Sequence, residues 1–203
     1  MANRSTNLIG FDLDNTLIDY SKSVYIFTEE NKLSSCSTID ELRQLLKRDE
    51  IVSPEWIQAQ SWIYTKGLKY AQIANGALDL IDSLVEDKFK VFIVSHKTNY
   101  CILDNIQIQL RANALTWIQN SRLSEYFKYN KNLFFEQTRY AKVERIGRLN
   151  LNYFVDDLEG VFLERNFPTE TVKFLFNSSK NFKRDIISIL NFDQIKTYFD
   201  EPI

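Results

Sequence analysis

Leu8-Ile9-Gly10-Phe11-Asp12-Leu13-Asp14-Asn15-Thr16-Leu17 is the stretch on which the reading of this chain turns. An apolar run of strand type stops at one carboxylate, a second carboxylate follows two residues later, and a turn-forming Asn-Thr pair comes next. Residues two apart on a strand face the same side, and a chain leaving its strand at Asp12 can turn Asp14 back toward the same pocket. Two carboxylates in one pocket repel, so such a site needs a cation or a shared proton. Taken alone, the same residues also read as an Asp-Asn turn between two apolar segments, so the rest of the chain has to decide.

The chain has 203 residues, 44% of them hydrophobic and 14% aromatic, enough for one good core and a smaller subsidiary module. Twenty-five basic against 27 acidic residues leave a net charge of −2, and no basic stripe stands out. Nucleic acid and anionic membranes are therefore not the expected partners. No apolar run approaches the roughly 20 residues of a membrane helix. Met1-Ala2-Asn3-Arg4-Ser5-Thr6 leads straight into the strand instead of into a signal-type apolar stretch, and a soluble cytoplasmic protein is expected. Cys36 and Cys101 are far apart and form no metal-type pair, so they read as ordinary thiols. His96 is the single histidine, which excludes any site built on two imidazoles.

After Thr16 the pattern turns helical, with Val24, Phe27 and Leu33 among polar residues. Thr38 and Glu41 form a capping-box pair ahead of Leu42, Leu45 and Leu46, and Ser53-Pro54 reads as the start of a third helix carrying Trp56, Ile57, Ala59 and Ile63. Residues 20–73 thus read as a small all-helical insertion, flanked by a core of residues 1–19 and 74–203. Asn75-Gly76 then opens a helix with Leu78, Ile81 and Leu84, before an apolar strand at Val91-Phe92-Ile93-Val94. A helix with Leu110, Ala114, Trp117 and Ile118 leads to a strand at Leu133-Phe134-Phe135. The next helix, opening at Arg139-Tyr140-Ala141-Lys142, leads to a strand at Tyr153-Phe154-Val155. Val172 to Phe176 is the last expected strand, and Ile186, Ile187, Leu190, Phe192, Ile195 and Phe199 are expected on a helical tail. Short apolar strands alternating with helices predict an α/β, Rossmann-like parallel sheet with helices on both faces.

The polar residues sit where the strands end. Asp12 and Asp14 follow the first strand, Ser95 the second, and Asp156 and Asp157 the fourth, while Lys142 lies near the start of a helix after another strand. Ligands of open α/β sheets bind outside the carboxyl ends of the strands. Four carboxylates, a hydroxyl and an ammonium converging on that edge suit Mg²⁺ and a phosphoryl group.

These residues resemble the haloacid dehalogenase (HAD) superfamily over essentially the whole chain. Asp12-Leu13-Asp14-Asn15-Thr16 matches its first motif, DxDxT after an apolar strand; Ser95 matches the second, Lys142 the third, and Asp156-Asp157 the acidic pair of the fourth. The insertion at 20–73 corresponds to the family's cap between motifs one and two. The resemblance implies Asp12 as nucleophile forming an aspartyl-phosphate, and Asp14 as acid and then base. It implies Ser95 as a donor to a phosphoryl oxygen and Lys142 as the balancing cation. Mg²⁺ would be held by Asp12, the backbone carbonyl of Asp14, and Asp156, with Asp157 acting through a water or by orienting Lys142. Asp14 argues for phosphoryl transfer over dehalogenation, because a departing halide needs no proton.

His96 and Lys97 either face the substrate or shape the loop, and Trp62, Tyr64 and Lys66 either line the cap's side of the pocket or belong to its core. A small cap closing over the site limits the substrate to a small phosphorylated metabolite. Trp62-Ile63-Tyr64-Thr65-Lys66-Gly67 and Ser95-His96-Lys97 also resemble members encoded among bacterial surface-polysaccharide genes. That resemblance implies a phosphorylated sugar, or a sugar-derived amide or amino alcohol, as substrate of a Mg²⁺-dependent phosphomonoesterase acting as monomer or homodimer. A phosphotransferase or mutase using the same aspartyl-phosphate, and a catalytically silent binding protein of this fold, are the alternatives.

Overall fold

Alternating burial along short apolar strands builds the central layer of the structure, a computed structural model that describes residues 7–47, 53–103, 106–176 and 185–200, with the backbone alone at 101–103, 106 and 107. The first half of the chain contains β1 (Leu8–Phe11), β2 (Ile18–Asp19), α1 (Ser21–Glu30), α2 (Ile39–Leu46), α3 (Pro54–Ile63), β3 (Gln72–Ile73), α4 (Ala77–Glu86) and β4 (Lys90–His96). There follow β5 (Tyr100–Leu103), β6 (Ile106–Gln109), α5 (Leu110–Gln119), β7 (Leu133–Glu136), α6 (Arg139–Arg148), β8 (Tyr153–Asp156), α7 (Glu159–Phe162), β9 (Val172–Phe176), β10 (Ile186–Ile189) and α8 (Asp193–Asp200).

Six strands form one sheet in the order β10-β9-β8-β1-β4-β7, and every pairing in it is parallel. The chain runs outward from β1 through β4 to β7, then returns to the other side of β1 and runs outward again through β8, β9 and β10. The strand order therefore reverses beside β1, and a crevice opens at the carboxyl ends of β1 and β8.

Strand alternation sorts the core into two faces. Ile9, Phe11, Val91, Ile93, Leu133, Phe135, Val155 and Phe174 share one cluster with residues of α4, α5 and α8, including Ile81, Ala114 and Ile195. Val94, Phe154 and Leu175 point the other way, onto Val143 and Ile146 of α6 and Val161 and Phe162 of α7. Gly10 lies on this second face. A Cβ there would come within 2.5 Å of the Leu151 side chain and 2.8 Å of the Phe154 ring, so the absence of a side chain is what lets this layer close on β1.

Residues between β2 and β3 form the helical insertion. Its two ends are zipped together by the antiparallel pairs Ile18 with Ile73 and Asp19 with Gln72. Inside it, Thr38 and Glu41 form the expected reciprocal cap of α2, and the Ser53 hydroxyl accepts the Trp56 amide at the start of α3, with Pro54 in the first turn. Val24, Phe27, Leu42, Ala59 and Ile63 are buried and continuous with the sheet's first cluster through Leu13, Leu17 and Ile18.

The tail departs from the expectation of a single helical segment. Ile186–Ile189 is the edge strand β10, paired in parallel with Lys173–Phe176, and only Asp193–Asp200 is helical. A β-branched Ile-Ile-Ser-Ile run carries both apolar periods too briefly to choose, and the vacant edge of β9 decides. The β5–β6 pair, antiparallel from Tyr100 to Gln109, was not anticipated either. Asn75-Gly76 forms a turn instead of a side-chain cap: Gly76 has φ of 79°, and no side chain accepts the free amides of α4. Among the described residues no helix is long and apolar enough to cross a membrane.

Gly10→Ala should destabilise the protein by about 1–3 kcal/mol through overpacking against Leu151 and Phe154. Urea titration measures this, and a midpoint equal to that of the wild type would contradict the close approach.

Candidate active site

Each strand end at the crevice delivers a polar group for a local reason. The Asp12 amide donates to the Val155 carbonyl at 2.8 Å, which carries the β1–β8 ladder one residue past β1 and fixes the start of the loop. Asn15 takes φ of 58°, a left-handed conformation that Asn tolerates, and the amides of Leu17 and Ile18 both return to the Leu13 carbonyl. The chain thus reverses immediately after Asp14. Asp156 ends β8, and one of its oxygens accepts the Leu158 amide at 3.0 Å. Lys142 stands in the first turn of α6, whose cap is the Thr138 hydroxyl accepting the Ala141 amide.

Lys142 is 1% exposed. Its Nζ lies 2.5 Å from Asp12 Oδ1 and 2.6 Å from Asp156 Oδ2. Carboxylate oxygens of Asp12, Asp156 and Asp157 all lie within 4.8 Å of one another. Burial pushes the Asp12 carboxyl up to about 7; Lys142 opposes this, while Asp156 and Asp14 add to it. Burial also raises Asp157, reinforced by Asp156 and Asp12. For Lys142 burial works against the charge, but the Asp12 and Asp156 carboxylates outweigh it and raise its pKa, so the ammonium stays protonated. One ammonium faces three carboxylates. That excess of negative charge, and a donor set made only of oxygen, fit a hard divalent cation such as Mg²⁺. Among the described residues, the buried hydroxyls of Thr16 and of Ser95, the latter near the carboxyl end of β4 beside β1, have no hydrogen-bond partner, an arrangement that is costly unless a ligand oxygen completes it.

Asp14 belongs to a different set of contacts. Its Oδ2 meets Lys97 Nζ at 2.5 Å and its Oδ1 accepts the Tyr20 hydroxyl at 2.6 Å. Lys97 is buried and its Nζ lies 4.1 Å from the centre of the Tyr64 ring, which packs edge-on against Tyr20.

The structure therefore brings Asp12, Asp156, Asp157 and Lys142 together, puts Ser95 near the end of the adjacent strand β4, and groups Asp14 with Lys97 and Tyr64. Two expected roles change. Lys142 pairs with Asp156 as well as Asp12 and not with Asp157, whose carboxylate joins the oxygen cluster itself. Lys97 is already engaged by Asp14 instead of standing free for a substrate. His96 is exposed between two buried neighbours, as strand alternation requires. Burial and the nearby Lys142 lower its pKa, so it is neutral at pH 7. Trp62 packs against Phe27 and Tyr70, with its ring closing on Gly67, and Lys66 is exposed at the start of the 3₁₀ helix Lys66–Tyr70. Trp62 is thus partly buried against the apolar core of the insertion. Tyr20 was missed altogether: in the sequence it is one aromatic residue at the first position of the insertion.

A cleft of about 560 Å³ reaches the carboxylate cluster at Asp157, lined also by Asn15, Tyr20, Thr38 and Asn75 among others. It lies between the insertion and the carboxyl edge of the sheet.

No protein-family model matches the chain, and no curated protein matches it significantly in sequence. Solved structures do match. A haloacid dehalogenase-like family hydrolase from Streptococcus pneumoniae superimposes with a TM-score of 0.60 at 17% identity, covering 96% of this chain and 98% of that one. The chain has the haloacid dehalogenase fold. The HAD protein YfnB from Bacillus subtilis, solved with magnesium bound, is similar at a TM-score of 0.60 and 15% identity, covering 98% of this chain and 100% of that one. Protein Tyrosine Kinase A from Mycobacterium tuberculosis is similar at 0.65 and 12% identity, with 96% and 98% covered.

The raised Asp12 carboxyl makes stability depend on pH in a set direction. In the absence of a divalent cation the folded state holds this proton between about pH 4 and 7 while the unfolded state has lost it, so stability falls as pH rises through that window. Asp12→Asn lacks this loss. Its melting temperature, compared with wild type in chelator, should gain on wild type from pH 4 to 8, and Mg²⁺ at pH 8 should raise the wild type more than the variant. A difference between the two proteins that is flat with pH would contradict this electrostatic picture.

Proposed function

We propose that this protein is a Mg²⁺-dependent phosphomonoester hydrolase working through an aspartyl-phosphate. The observation that carries the reading is the joint placement of Asp12, Asp156 and Asp157 around buried Lys142, beside the unpartnered Ser95 hydroxyl, at the point where strand order reverses.

Asp12 Oδ2 is the free oxygen of the nucleophile, since Oδ1 is held by Lys142. It attacks phosphorus, the Asp12–phosphorus bond forms as the bond to the leaving alcohol breaks, and Asp14 delivers a proton to the departing oxygen. Water then attacks the aspartyl-phosphate, giving its proton to Asp14 and releasing inorganic phosphate. Lys142 and the Ser95 hydroxyl stabilise negative charge on the phosphoryl oxygens. Asp12, Asp156 and Asp157 would hold the Mg²⁺, which when bound neutralises the anionic substrate against the anionic nucleophile. Residues 20–73 act as a cap over the crevice, with β2 and β3 as its paired stalks.

The size of the cleft and its polar lining suit a small polyhydroxylated alcohol, consistent with a sugar phosphate or a phosphorylated sugar-derived amide or amino alcohol of a surface-polysaccharide pathway. A second reading, phosphoryl transfer to an acceptor other than water, is favoured by the fold's presence in a protein named as a tyrosine kinase. Product analysis with candidate acceptors present separates the two.

Phosphate release from a generic aryl phosphate should be abolished by excess chelator and should fall by at least ~1000-fold in Asp12→Asn. A wild-type rate in either sample would refute the mechanism. A phosphate-release screen over small metabolites then identifies the leaving alcohol, and preference for a phosphopeptide or oligonucleotide would exclude the capped-site reading.

A further inference from the structure

Asp14 stands apart from the other carboxylates. It lies outside the oxygen cluster that fits a cation, and both of its oxygens are taken by buried donors from different parts of the chain. Tyr20 comes from the mouth of the insertion and is 2% exposed; Lys97 follows β4 and is 5% exposed. Each donor is fixed in turn. The Tyr20 ring packs on Tyr64, 5.3 Å between centres, and the Tyr64 carbonyl accepts Asn113 Nδ2 at 3.3 Å. The Lys97 amide donates to the Glu136 carbonyl at 3.0 Å, and its own carbonyl accepts Arg111 Nε at 2.7 Å. A buried tyrosine that merely needed an acceptor could use any carbonyl. Here the acceptor is the one carboxylate that the chemistry needs aimed at the leaving group.

We propose that Tyr20 and Lys97 are positioning residues for Asp14, holding its carboxylate from two sides in the orientation from which it serves the leaving group. The inference rests on the phosphomonoesterase reading and adds residues that act through Asp14 without touching the substrate. A carboxylate has about four lone-pair sites, so one donor on each oxygen leaves room for the proton and the leaving oxygen. Loss of either donor frees the side chain to rotate about χ1 and χ2. Proton transfer is sensitive to misplacement on the ångström scale, whereas substrate binding through the phosphoryl group is not. Tyr20 belongs to the insertion and Lys97 to the sheet, so acid–base alignment also depends on how these two parts meet at Asp14.

The distinguishing measurement is the dependence on the leaving group. Tyr20→Phe keeps the ring against Tyr64 and removes only the hydroxyl; Lys97→Met removes the other donor. In each, kcat for an alkyl phosphate should fall at least ~10-fold further than kcat for an aryl phosphate, whose leaving group departs without protonation, with KM little changed. In an Asp14→Asn background, the same substitutions should cost almost nothing more on the alkyl phosphate, because residues acting through one group are not additive. Thermal melts establish that each variant is folded. Equal losses on the two substrates, or additive losses with Asp14→Asn, would overturn the assignment while leaving the phosphatase reading intact. Absence of phosphate release by the wild type from every substrate would instead remove the reading on which it rests.

Discussion

Placing the Lys142 ammonium out of water, between Asp12 and Asp156, is the constraint from which the rest of the site follows. An unpaired ammonium at 1% exposure would cost several kcal/mol, so α6 can dock only where two carboxylates meet it. Those carboxylates come from β1 and β8, which are far apart in sequence. They become neighbours because the chain leaves β1 on one side and returns on the other. The pairing is incomplete as a charge balance: Asp157 adds a third carboxylate to one ammonium, and burial, reinforced by the neighbouring carboxylates, raises the Asp12 and Asp157 carboxyls. Under the proposed function a bound divalent cation would resolve that imbalance, and with it the difficulty of bringing an anionic nucleophile to an anionic substrate.

Packing supplies the precision that the charges need. Gly10 lets Leu151 and Phe154 close on β1, and this contact sets the distance between the strand carrying Asp12 and the layer carrying α6. On the opposite face, aromatic contacts of Phe11 and Phe176 with Phe192 hold the segment leading into α8 against the sheet. The insertion is tied to this framework in three ways: by the β2–β3 zipper, by the apolar continuity through Leu13, Leu17 and Ile18, and by Tyr20 and Tyr64 reaching the polar edge. It shapes one wall of the cleft and at the same time supplies a donor to Asp14. The cleft wall and the contacts of Asp14 therefore share residues at its base.

The fold is shared with proteins only 12–17% identical to this chain. At that distance what persists is an arrangement of layers, and activity belongs to the groups mounted on it. In this chain those groups include Asp14, held by a tyrosine from the insertion and a lysine from the sheet edge.

Much of this was legible in the sequence. Strand and helix alternate with clear apolar periods, and strand ends in parallel sheets are where polar residues appear, so Asp12, Asp14, Ser95, Lys142, Asp156 and Asp157 could be singled out without coordinates. Local capping chemistry likewise announced α2 and α3 at Thr38 and Ser53. What the sequence determined by itself was everything carried by short-range pattern: the class of fold, the insertion, and the identity of most charged groups. Tertiary structure decided whatever depends on partners distant in the chain. Ile186–Ile189 became a strand because β9 offered an open edge, and Trp62 came to pack partly buried against the core through Phe27 and Tyr70. Lys142 took Asp156 and not Asp157, and Tyr20 found Asp14, because a hydrogen bond is settled by direction and distance to about an ångström, which no residue pattern encodes.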